Sequence, residues 1–394
     1  MKRIAAWALG LAMVAVVVAI VAGAFSGGTV RSPGASGPSN ATGTTESADG
    51  GKARDAAAEE PKAGDGGTKS GSDDGIAVAA VGDTMLGNYP ELPSDPGSYL
   101  DPVKGQLKGD VVFGNLEGTL TDVPDSPKCG GAASGDCYAF RTPPSYARDL
   151  AAAGFTVMNN ANNHSYDFGQ AGLDQTLAAL KKAGIAQDGL PGEITAVEAG
   201  GEKVAFVGFA PYSTTASLLD LPAARALIRK ATKRAQIVVV AIHAGAEGSG
   251  AQHLTGGEEE YLGEDRGDPE AFAKMAVRAG ADLVLGSGPH VLRAMEIYRG
   301  RLIAYSLGNF SGFHNFTTEG VLGASAVLHV ALDPDGAFRS GRIASVRLIE
   351  AGRPVPDSSG EGARIVAQLS REDLGGAAVK VGGSGRILGT VGRN

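Results

Sequence analysis

The amino-acid sequence predicts an α/β fold for residues 76–350, built around a buried and mostly parallel sheet. Short apolar runs of the kind that form buried strands occur at residues 76–81, 111–113, 155–158, 237–242 and 282–285. Stretches with helical character separate these runs and lie at residues 145–153, 170–183, 221–235 and 269–279. Asp268 and Pro269 are typical of a helix start, as the capping residue and the first helical residue. Strands that alternate with helices through short loops are typical of a parallel sheet covered by helices.

The later part of this region is richer in predicted strands. Residues 198–209 have the pattern of a hairpin that turns at Gly200 and Gly201. Further strands, largely antiparallel, are predicted at residues 294–298, 301–306, 321–332 and 342–350. Residues 351–394 are Gly-rich and poorly patterned, so we expect a loosely packed or disordered C-terminal tail.

Residues 1–25 have the features of an export signal. Lys2 and Arg3 precede an uncharged stretch at residues 4–25, which is long enough to span a bilayer and longer than a usual signal-peptide core. We interpret this segment as a signal anchor, although Ala22-Gly23-Ala24 also offers a cleavage site for a secretory signal peptide. Both interpretations place the domain outside the cytoplasm, because the basic start stays inside. The expected location is therefore the cell membrane, with a single span, or the medium after cleavage.

Residues 26–75 are expected to be a disordered linker. They consist mainly of Gly, Ser, Thr, Ala, Asp and Lys with scattered Pro, and branched apolar residues are nearly absent. Such a segment cannot bury enough apolar surface to offset the entropy of ordering. We therefore expect a tether that holds the domain away from the membrane.

Overall composition excludes some classes of function. The formal net charge is −8, and no basic run occurs beyond the N-terminus, which argues against general binding of nucleic acid. Two cysteines are too few for a disulfide scaffold or a Cys-based zinc site. Cys129 and Cys137 lie close together in a Gly/Ser-rich loop, and we predict that they form a disulfide in an oxidising compartment.

Polar side chains follow the predicted buried strands at the points where these strands end. They are Asp83, Glu117, Asn163, His164, His243 and His290. Ligands of α/β sheets bind at the carboxyl ends of strands, so we expect these side chains to converge on one edge. Carboxylate, amide and imidazole groups together suit Zn, Mn or Fe better than Ca. The sequence therefore predicts a metal or phosphate site at this edge.

Each of these residues alone also has a structural interpretation. Asp83 could cap a helix, Asn163 could occupy a left-handed turn, and His243 could be a hydrogen-bonded core histidine. Two further histidines serve as contrasts. His329 lies inside an apolar strand and is expected to be structural, whereas His253 lies in a Gly/Glu-rich loop and is expected to be solvated.

Serial motifs along residues 76–310 resemble those of the CapA family, the poly-γ-glutamate capsule synthesis proteins, which are distant relatives of calcineurin-like metallophosphoesterases. The motifs are Gly82-Asp83-Thr84-Met85-Leu86, Asn115-Leu116-Glu117-Gly118, Asn162-Asn163-His164 with Asp167 and Gly169, His243-x-Gly245 with Glu247, Gly288-Pro289-His290-Val291, and Tyr305-Ser306-Leu307-Gly308-Asn309-Phe310. They occur in the order and with the spacing of the family, so no single motif carries the resemblance.

The resemblance implies a four-layer α/β/β/α sandwich of metallophosphoesterase type at the outer surface of the cell membrane. By the same resemblance, one or two divalent ions (Mn, Zn or Fe) would be bound by Asp83, Glu117, Asn163, His243 and His290. The implied catalytic residues are His164, as general acid or phosphate contact, and Asp167. Glu247 and Asn309 are expected to line the site.

The sequence departs from the metallophosphoesterase pattern at particular positions. Met85 stands where the first motif of that superfamily has a histidine, and Gly288 stands where the last motif has its first histidine. Glu117 stands where an aspartate usually bridges the metals. Because a metal site generally needs three or four protein ligands, a single metal, or none, stays open.

The function implied by the resemblance is synthesis or export of a capsule or poly-γ-glutamate-type surface polymer, with metal-dependent hydrolysis of a phosphoester-type bond. One alternative is a non-catalytic assembly factor that binds the polymer, and another is a metal-independent Asp/His acid–base enzyme on the same fold. The implied partners are an anionic polymer such as poly-γ-glutamate, membrane-embedded synthesis proteins, and the membrane itself through residues 4–25. Nucleic acid is not among the expected partners.

Deleting residues 26–74 is expected to leave the melting temperature of the remaining domain nearly unchanged. The reason is that a segment without a core contributes no packing to the folded state. Thermal unfolding of the two chains side by side measures the effect. A fall of more than a few degrees would show that the domain begins earlier than residue 76.

Overall fold

The computed structural model describes residues 75–128 and 137–390. The predicted signal anchor at residues 1–25, the linker up to residue 74 and Cys129 lie outside these residues. Within the described ranges, no helix combines the length and apolar character needed to cross a membrane. Cys137 is held in a disulfide bond. Since its expected partner Cys129 is outside the described residues, their pairing stays a prediction.

The strands of the described residues are numbered in chain order. They are β1 (Ile76–Thr84), β2 (Val111–Leu116), β3 (Thr119–Leu120), β4 (Arg141–Thr142), β5 (Val157–Asn159), β6 (Ala186–Asp188), β7 (Thr195–Ala199), β8 (Glu202–Phe209), β9 (Ile237–His243), β10 (Glu260–Tyr261), β11 (Glu264–Asp265), β12 (Leu283–Ser287), β13 (Met295–Tyr298), β14 (Arg301–Ala304), β15 (Asn309–Ser311), β16 (Ala324–Leu332), β17 (Phe338–Ile349), β18 (Arg353–Pro356), β19 (Val379–Val381) and β20 (Arg386–Thr390).

The helices are α1 (Asp101–Lys104), α2 (Ala147–Ala153), α3 (Gly169–Ala183), α4 (Leu221–Ala231), α5 (Pro269–Ala279) and α6 (Glu361–Leu374). The predicted start of α5 is confirmed, because the Asp268 side chain accepts a hydrogen bond from the backbone N–H of Ala271 at 2.8 Å. This contact satisfies one of the free N–H groups of the first turn.

The strands form two large sheets. The larger sheet has ten strands in the order β19-β20-β17-β16-β1-β2-β5-β6, with β15 and β18 paired beside β1 and β17. The smaller sheet has six strands in the order β13-β14-β12-β9-β8-β7. Strands β1, β2, β5 and β6 are parallel, and so are β8, β9, β12 and β14, whereas β7–β8 and β16–β17 pair antiparallel. The predicted mixed α/β fold is confirmed.

Three apolar clusters hold these elements together. One lies between the two sheets, where the rings of Phe113 and Phe206 stack with centroids 6.1 Å apart. A second packs α1, α2 and α3 on the outer face of the larger sheet, and a third packs α4 and α5 on the outer face of the smaller one. The layers therefore follow the order helix, sheet, sheet, helix. Strands covered on both faces explain why β1 and β9 are nearly continuous apolar runs.

The expectation of a loose C-terminal tail is wrong. Residues 353–390 form β18, α6, β19 and β20, and α6 buries Val366 and Leu369 against strands of both sheets. The apolar residues of this segment recur at helical spacing, but frequent glycines and charged residues dilute the pattern. The domain thus continues past residue 350 to at least residue 390.

Replacing Leu369 by Ala is expected to destabilise the domain by about 2–5 kcal/mol, because truncating a buried leucine leaves a cavity. The matched control is Gln368→Ala, on the exposed face of the same helix, where the side chain donates to Glu372 one turn away. Denaturant unfolding of both variants measures the difference. Equal stabilities would mean that α6 does not belong to the core.

Candidate metal centre

The ends of strands from both sheets place the predicted ligands. Asp83 lies at the end of β1, and Glu117 follows β2 directly, both in the larger sheet. His243 is the last residue of β9, and His290 follows β12, both in the smaller sheet. Because the two sheets pack face to face, their carboxyl ends meet at one edge, which is where ligands of α/β sheets bind.

Four of the predicted ligands lie in contact with one another. Asp83, Glu117 and His243 are fully buried, and each offers a ligand atom within 4.8 Å of those of the other two. Nδ1 of His290 lies 3.2 Å from Asp83 Oδ2, and its Nε2 lies 3.4 Å from Glu117 Oε1. We refer to these four residues as the carboxylate–histidine cluster.

Several ligand-type atoms at this edge are buried and form no hydrogen bond within the described residues. They are both carboxylate oxygens of Glu117, Asp83 Oδ2, Nε2 of His243 and Oδ1 of Asn163. A buried carboxylate without hydrogen bonds costs free energy unless a positive charge compensates it. The donor set of carboxylate, imidazole and amide therefore fits a divalent cation of the Zn, Mn or Fe type.

The pKa values of the cluster follow from its burial and its paired carboxylates. Burial, and then the charge of Asp83, raise the pKa of Glu117 well above its usual value. Burial alone lowers the pKa of His290, but the carboxylates of Glu117 and Asp83 outweigh this effect and raise it to about 10. Burial lowers the pKa of His243 well below its usual value, so its ring is neutral and suited to bind a cation.

A buried asparagine connects the two sides of the cluster. Nδ2 of Asn115 donates to Asp83 Oδ1 at 2.9 Å and lies 3.3 Å from Nδ1 of His243. Its Oδ1 accepts hydrogen bonds from the side chains of Asn159 and Asn162 at 2.7 and 3.1 Å. Sequence reasoning did not assign a role to Asn115, although a polar residue inside the otherwise apolar run of β2 is a usable signal. Its amide fixes the orientation of both Asp83 and His243.

His164 and Asp167 form a second pair beside the cluster. Nδ1 of His164 lies 2.7 Å from Asp167 Oδ2, and the ring packs on Phe140 with centroids 4.3 Å apart. Lys128 donates to Asp167 Oδ1 at 2.7 Å and to the backbone carbonyl of Asn163 at 2.9 Å. The carboxylate of Asp167 thus orients the imidazole, an arrangement suited to acid–base work through Nε2.

The remaining predicted residues connect these groups. Oδ1 of Asn309 lies 2.9 Å from Nδ1 of His290. Glu247 Oε2 lies 3.6 Å from Nε2 of His290. Glu247 also lines a cavity of about 410 Å³ together with Asn163 and His164. Glu247 therefore links the carboxylate–histidine cluster to the cavity that holds the His164–Asp167 pair.

The two contrasting histidines lie apart from these contacts. His253 is exposed, and its Nδ1 lies 2.7 Å from Asp373 of α6. His329 lies within β16, where Ala79 and Arg342 are its cross-strand neighbours. Burial lowers the pKa of His329, as expected for a structural histidine in a sheet.

The departures from the metallophosphoesterase pattern have packing reasons. Met85 is buried, and its backbone N–H donates to Ser311 at 2.8 Å, so its side chain contributes to the interior. Gly288 has φ of +110°, and a Cβ there would lie 3.0 Å from the backbone nitrogen of Ala244 and 3.3 Å from the His243 ring. A histidine at position 288 would therefore be strained, and the cluster is built without it.

One solved structure of similar topology is the 5′-nucleotidase precursor from Thermus thermophilus. It is 14% identical, covers 75% of this chain and 58% of its own, and aligns with a TM-score of 0.39. A likeness of this strength supports no conclusion about the site.

The sequence comparisons are more informative. The chain is 30% identical over 276 residues to the PGA biosynthesis protein CapA of Bacillus subtilis (strain 168), which covers 64% of this chain and 66% of that protein. It is 33% identical over 178 residues to the capsule biosynthesis protein CapA of Bacillus anthracis, which covers 40% of each. It is 31% identical over 228 residues to a probable polyglutamine synthesis accessory protein of Mycobacterium tuberculosis (strain ATCC 25618 / H37Rv), covering 51% and 55%. The match thus spans about two thirds or less of the length of these curated relatives.

A family model described as bacterial capsule synthesis protein PGA_cap matches residues 77–312. This range contains β1 to β15, and with them every strand end that contributes to the carboxylate–histidine cluster. The resemblance inferred from the serial motifs is confirmed: the chain belongs to the PGA_cap family of bacterial capsule synthesis proteins.

Proposed function

We propose that the protein is a membrane-anchored, extracytoplasmic factor for synthesis or export of a capsule or poly-γ-glutamate-type surface polymer, with a metal-dependent hydrolytic site. Family membership supports the polymer role, and the names of relatives refer to PGA, capsule or polyglutamine synthesis. The single observation that carries the chemistry is the buried cluster of Asp83, Glu117 and His243, whose ligand atoms lie within 4.8 Å of one another. The fold would then be of metallophosphoesterase type.

The residues that would hold the metal are those of the carboxylate–histidine cluster, with Asn163 beside them. A divalent cation bound there would supply a Lewis acid that offsets negative charge on a phosphoryl oxygen and lowers the pKa of water. The chain's own groups prepare this place: Asn115 orients Asp83 and His243, and burial keeps His243 neutral. The buried oxygens of Glu117, which form no hydrogen bond, would gain partners.

His164 would move the proton in this reaction. Asp167 holds the imidazole through Nδ1, which leaves Nε2 for the substrate. A ring held in this way can deliver a proton to a leaving oxygen without first reorienting. Phe140, packed on the ring, and the burial of both residues exclude bulk water from the pair.

The proposed setting is the outer face of the cell membrane. It is supported by the basic start and the uncharged stretch at residues 4–25, followed by a linker-like composition up to residue 75. The proposed partners are an anionic polymer such as poly-γ-glutamate and membrane-embedded synthesis proteins. Such a tether would keep the site within reach of a polymer that emerges from the membrane.

A second candidate is a metal-independent acid–base enzyme on the same fold. The observation that favours it is the position of His290, 3.2 Å from Asp83 and 3.4 Å from Glu117, with a pKa raised to about 10. An imidazolium in this place balances part of the charge of the two carboxylates without a metal ion.

Metal analysis and turnover of a generic phosphoester distinguish the two candidates. We expect the purified full chain to bind one or two equivalents of Mn, Zn or Fe and to hydrolyse p-nitrophenyl phosphate. Chelation should reduce that rate at least 100-fold. The isosteric variant Glu117→Gln should lose both metal and turnover, because an amide is a weaker ligand than a carboxylate. Turnover that survives chelation would support the metal-independent candidate, and a full metal content in Glu117→Gln would refute the ligand set.

The variants His290→Ala and His329→Ala are expected to have opposite effects. His290→Ala should abolish metal binding or polymer-related activity with little change in stability, because the side chain contributes a ligand and not core packing. His329→Ala should keep the bound metal and lower stability by about 1–2 kcal/mol, because its half-buried ring packs within β16. Metal content and thermal unfolding measure the two effects. A fully functional His290→Ala protein would mean that the strand-end histidines are structural.

A further inference from the structure

Arg266 and Arg293 are the largest fully buried side chains of the described residues, and they differ in how their charge is satisfied. Arg293 forms two hydrogen bonds with Glu259, from Nη1 at 2.9 Å and from Nη2 at 2.8 Å. It also donates to the backbone carbonyls of Ala251, at 2.6 Å, and Ala246, at 3.3 Å. Arg293 is therefore a structural arginine with a partner on every nitrogen.

Arg266 uses only one of its nitrogens in this way. Nη1 lies 2.7 Å from Glu247 Oε1 and 3.9 Å from Glu264 Oε2. Nε and Nη2 are buried and form no hydrogen bond within the described residues. These two nitrogens lie on the same edge of the planar guanidinium group, the edge that binds a carboxylate or phosphate through two parallel hydrogen bonds.

A buried charge with unused donors is costly, so its position calls for a reason. The backbone of Arg266 is held by Glu259, which accepts from its N–H at 2.8 Å, and by Gly245, which donates to its carbonyl at 3.0 Å. These backbone contacts do not depend on the side chain. The fold therefore positions residue 266 firmly but does not need a guanidinium there, in contrast to position 293.

Arg266 lines the same cavity of about 410 Å³ that holds His164 and Asn163. The aromatic residues of this cavity are Tyr138, Tyr212 and Tyr261, and the guanidinium lies 5.9 Å from the centre of the Tyr212 ring. The cavity thus combines apolar ring surfaces with an anion-binding edge, as small-molecule and polymer-end sites often do.

Glu247 fixes the distance between this edge and the carboxylate–histidine cluster. Its Oε1 contacts Arg266 at 2.7 Å, and its Oε2 lies 3.6 Å from Nε2 of His290. The same nitrogen of His290 lies 3.4 Å from Glu117. One carboxylate thus separates Arg266 from a residue of the cluster.

We propose that Arg266 is a specificity-determining residue that binds an anionic two-oxygen group of the substrate, a carboxylate or a phosphoryl group, through Nε and Nη2. This assignment rests on the proposed function only where it places the bound group beside a metal centre. The ligand would enter between the tyrosines, with its anionic group on Arg266 and its reacting bond toward His164 and the cluster.

The neighbouring charges limit what the subsite accepts. The ammonium group of Lys128 is engaged by Asp167 at 2.7 Å. Glu264 is exposed, accepts from the Tyr212 hydroxyl at 3.2 Å, and is the nearest carboxylate that competes for Arg266. Removing its charge should therefore tighten the binding of an anion.

Calorimetric titration of the full chain with two probes tests the proposal. The carboxylate probe is γ-glutamylglutamate, and the phosphoryl probe is inorganic phosphate, each used before and after chelation. We expect at least one probe to bind, and Arg266→Met to weaken it at least tenfold. Arg266→Lys should recover only part of the affinity, because an ammonium group cannot donate from two fixed positions. Glu264→Gln should strengthen binding several-fold.

The control is Arg371→Met, which removes one positive charge from the exposed face of α6 and should leave both affinities unchanged. Arg266→Met should keep the wild-type metal content and melt within a few degrees of wild type. If it does not fold, Arg266→Lys and Glu264→Gln still decide the question through the probe affinities.

The outcomes separate this proposal from the proposed function. Affinities that do not respond to Arg266 substitutions, or an absence of binding by both probes, overturn the anion subsite even if the protein binds metal and hydrolyses phosphoesters. Arg266-dependent binding in a chain that holds no metal would keep the subsite and refute the metal-dependent hydrolase. The preferred probe identifies the group as a carboxylate or a phosphoryl group.

Discussion

Two carboxylates buried side by side are the constraint around which this site is built. Asp83 and Glu117 end neighbouring parallel strands, and neither side chain is exposed to solvent. Like charges in a low-dielectric interior raise each other's free energy, which is why burial and Asp83 raise the pKa of Glu117. Such a pair is tolerated only where positive charge compensates it. His290 and, in the proposed function, a divalent cation are the groups that can do so.

This constraint extends into both sheets. Asn115 donates to Asp83 and lies against His243, so a single amide joins the end of β2 in the larger sheet to the end of β9 in the smaller one. Neither sheet alone contains a complete cluster. The apolar packing between the sheets, with Phe113 stacked on Phe206, is therefore a condition for the site as well as for stability.

The predicted and the missed residues differ in the kind of signal that they carry. Asp83 and His243 were identifiable because each follows a long apolar run, and the carboxyl ends of such strands meet at one edge. Helix α6 was missed because glycines and charges dilute its apolar positions. Arg266 was missed because it lies in a polar loop between β11 and α5, where an arginine is ordinarily solvated.

The sequence by itself determined the local elements of this protein and the chemistry at their ends. Apolar runs must be buried, and the polar residues that interrupt them mark the places where the strands end, so both could be inferred without coordinates. Only the tertiary structure decided which ends meet, because contacts such as Asn115 with His243, 128 positions apart, depend on how two sheets pack. It also decided that Arg266 is buried with an unused edge, since burial at a loop position is set by what packs over the loop and not by its own pattern.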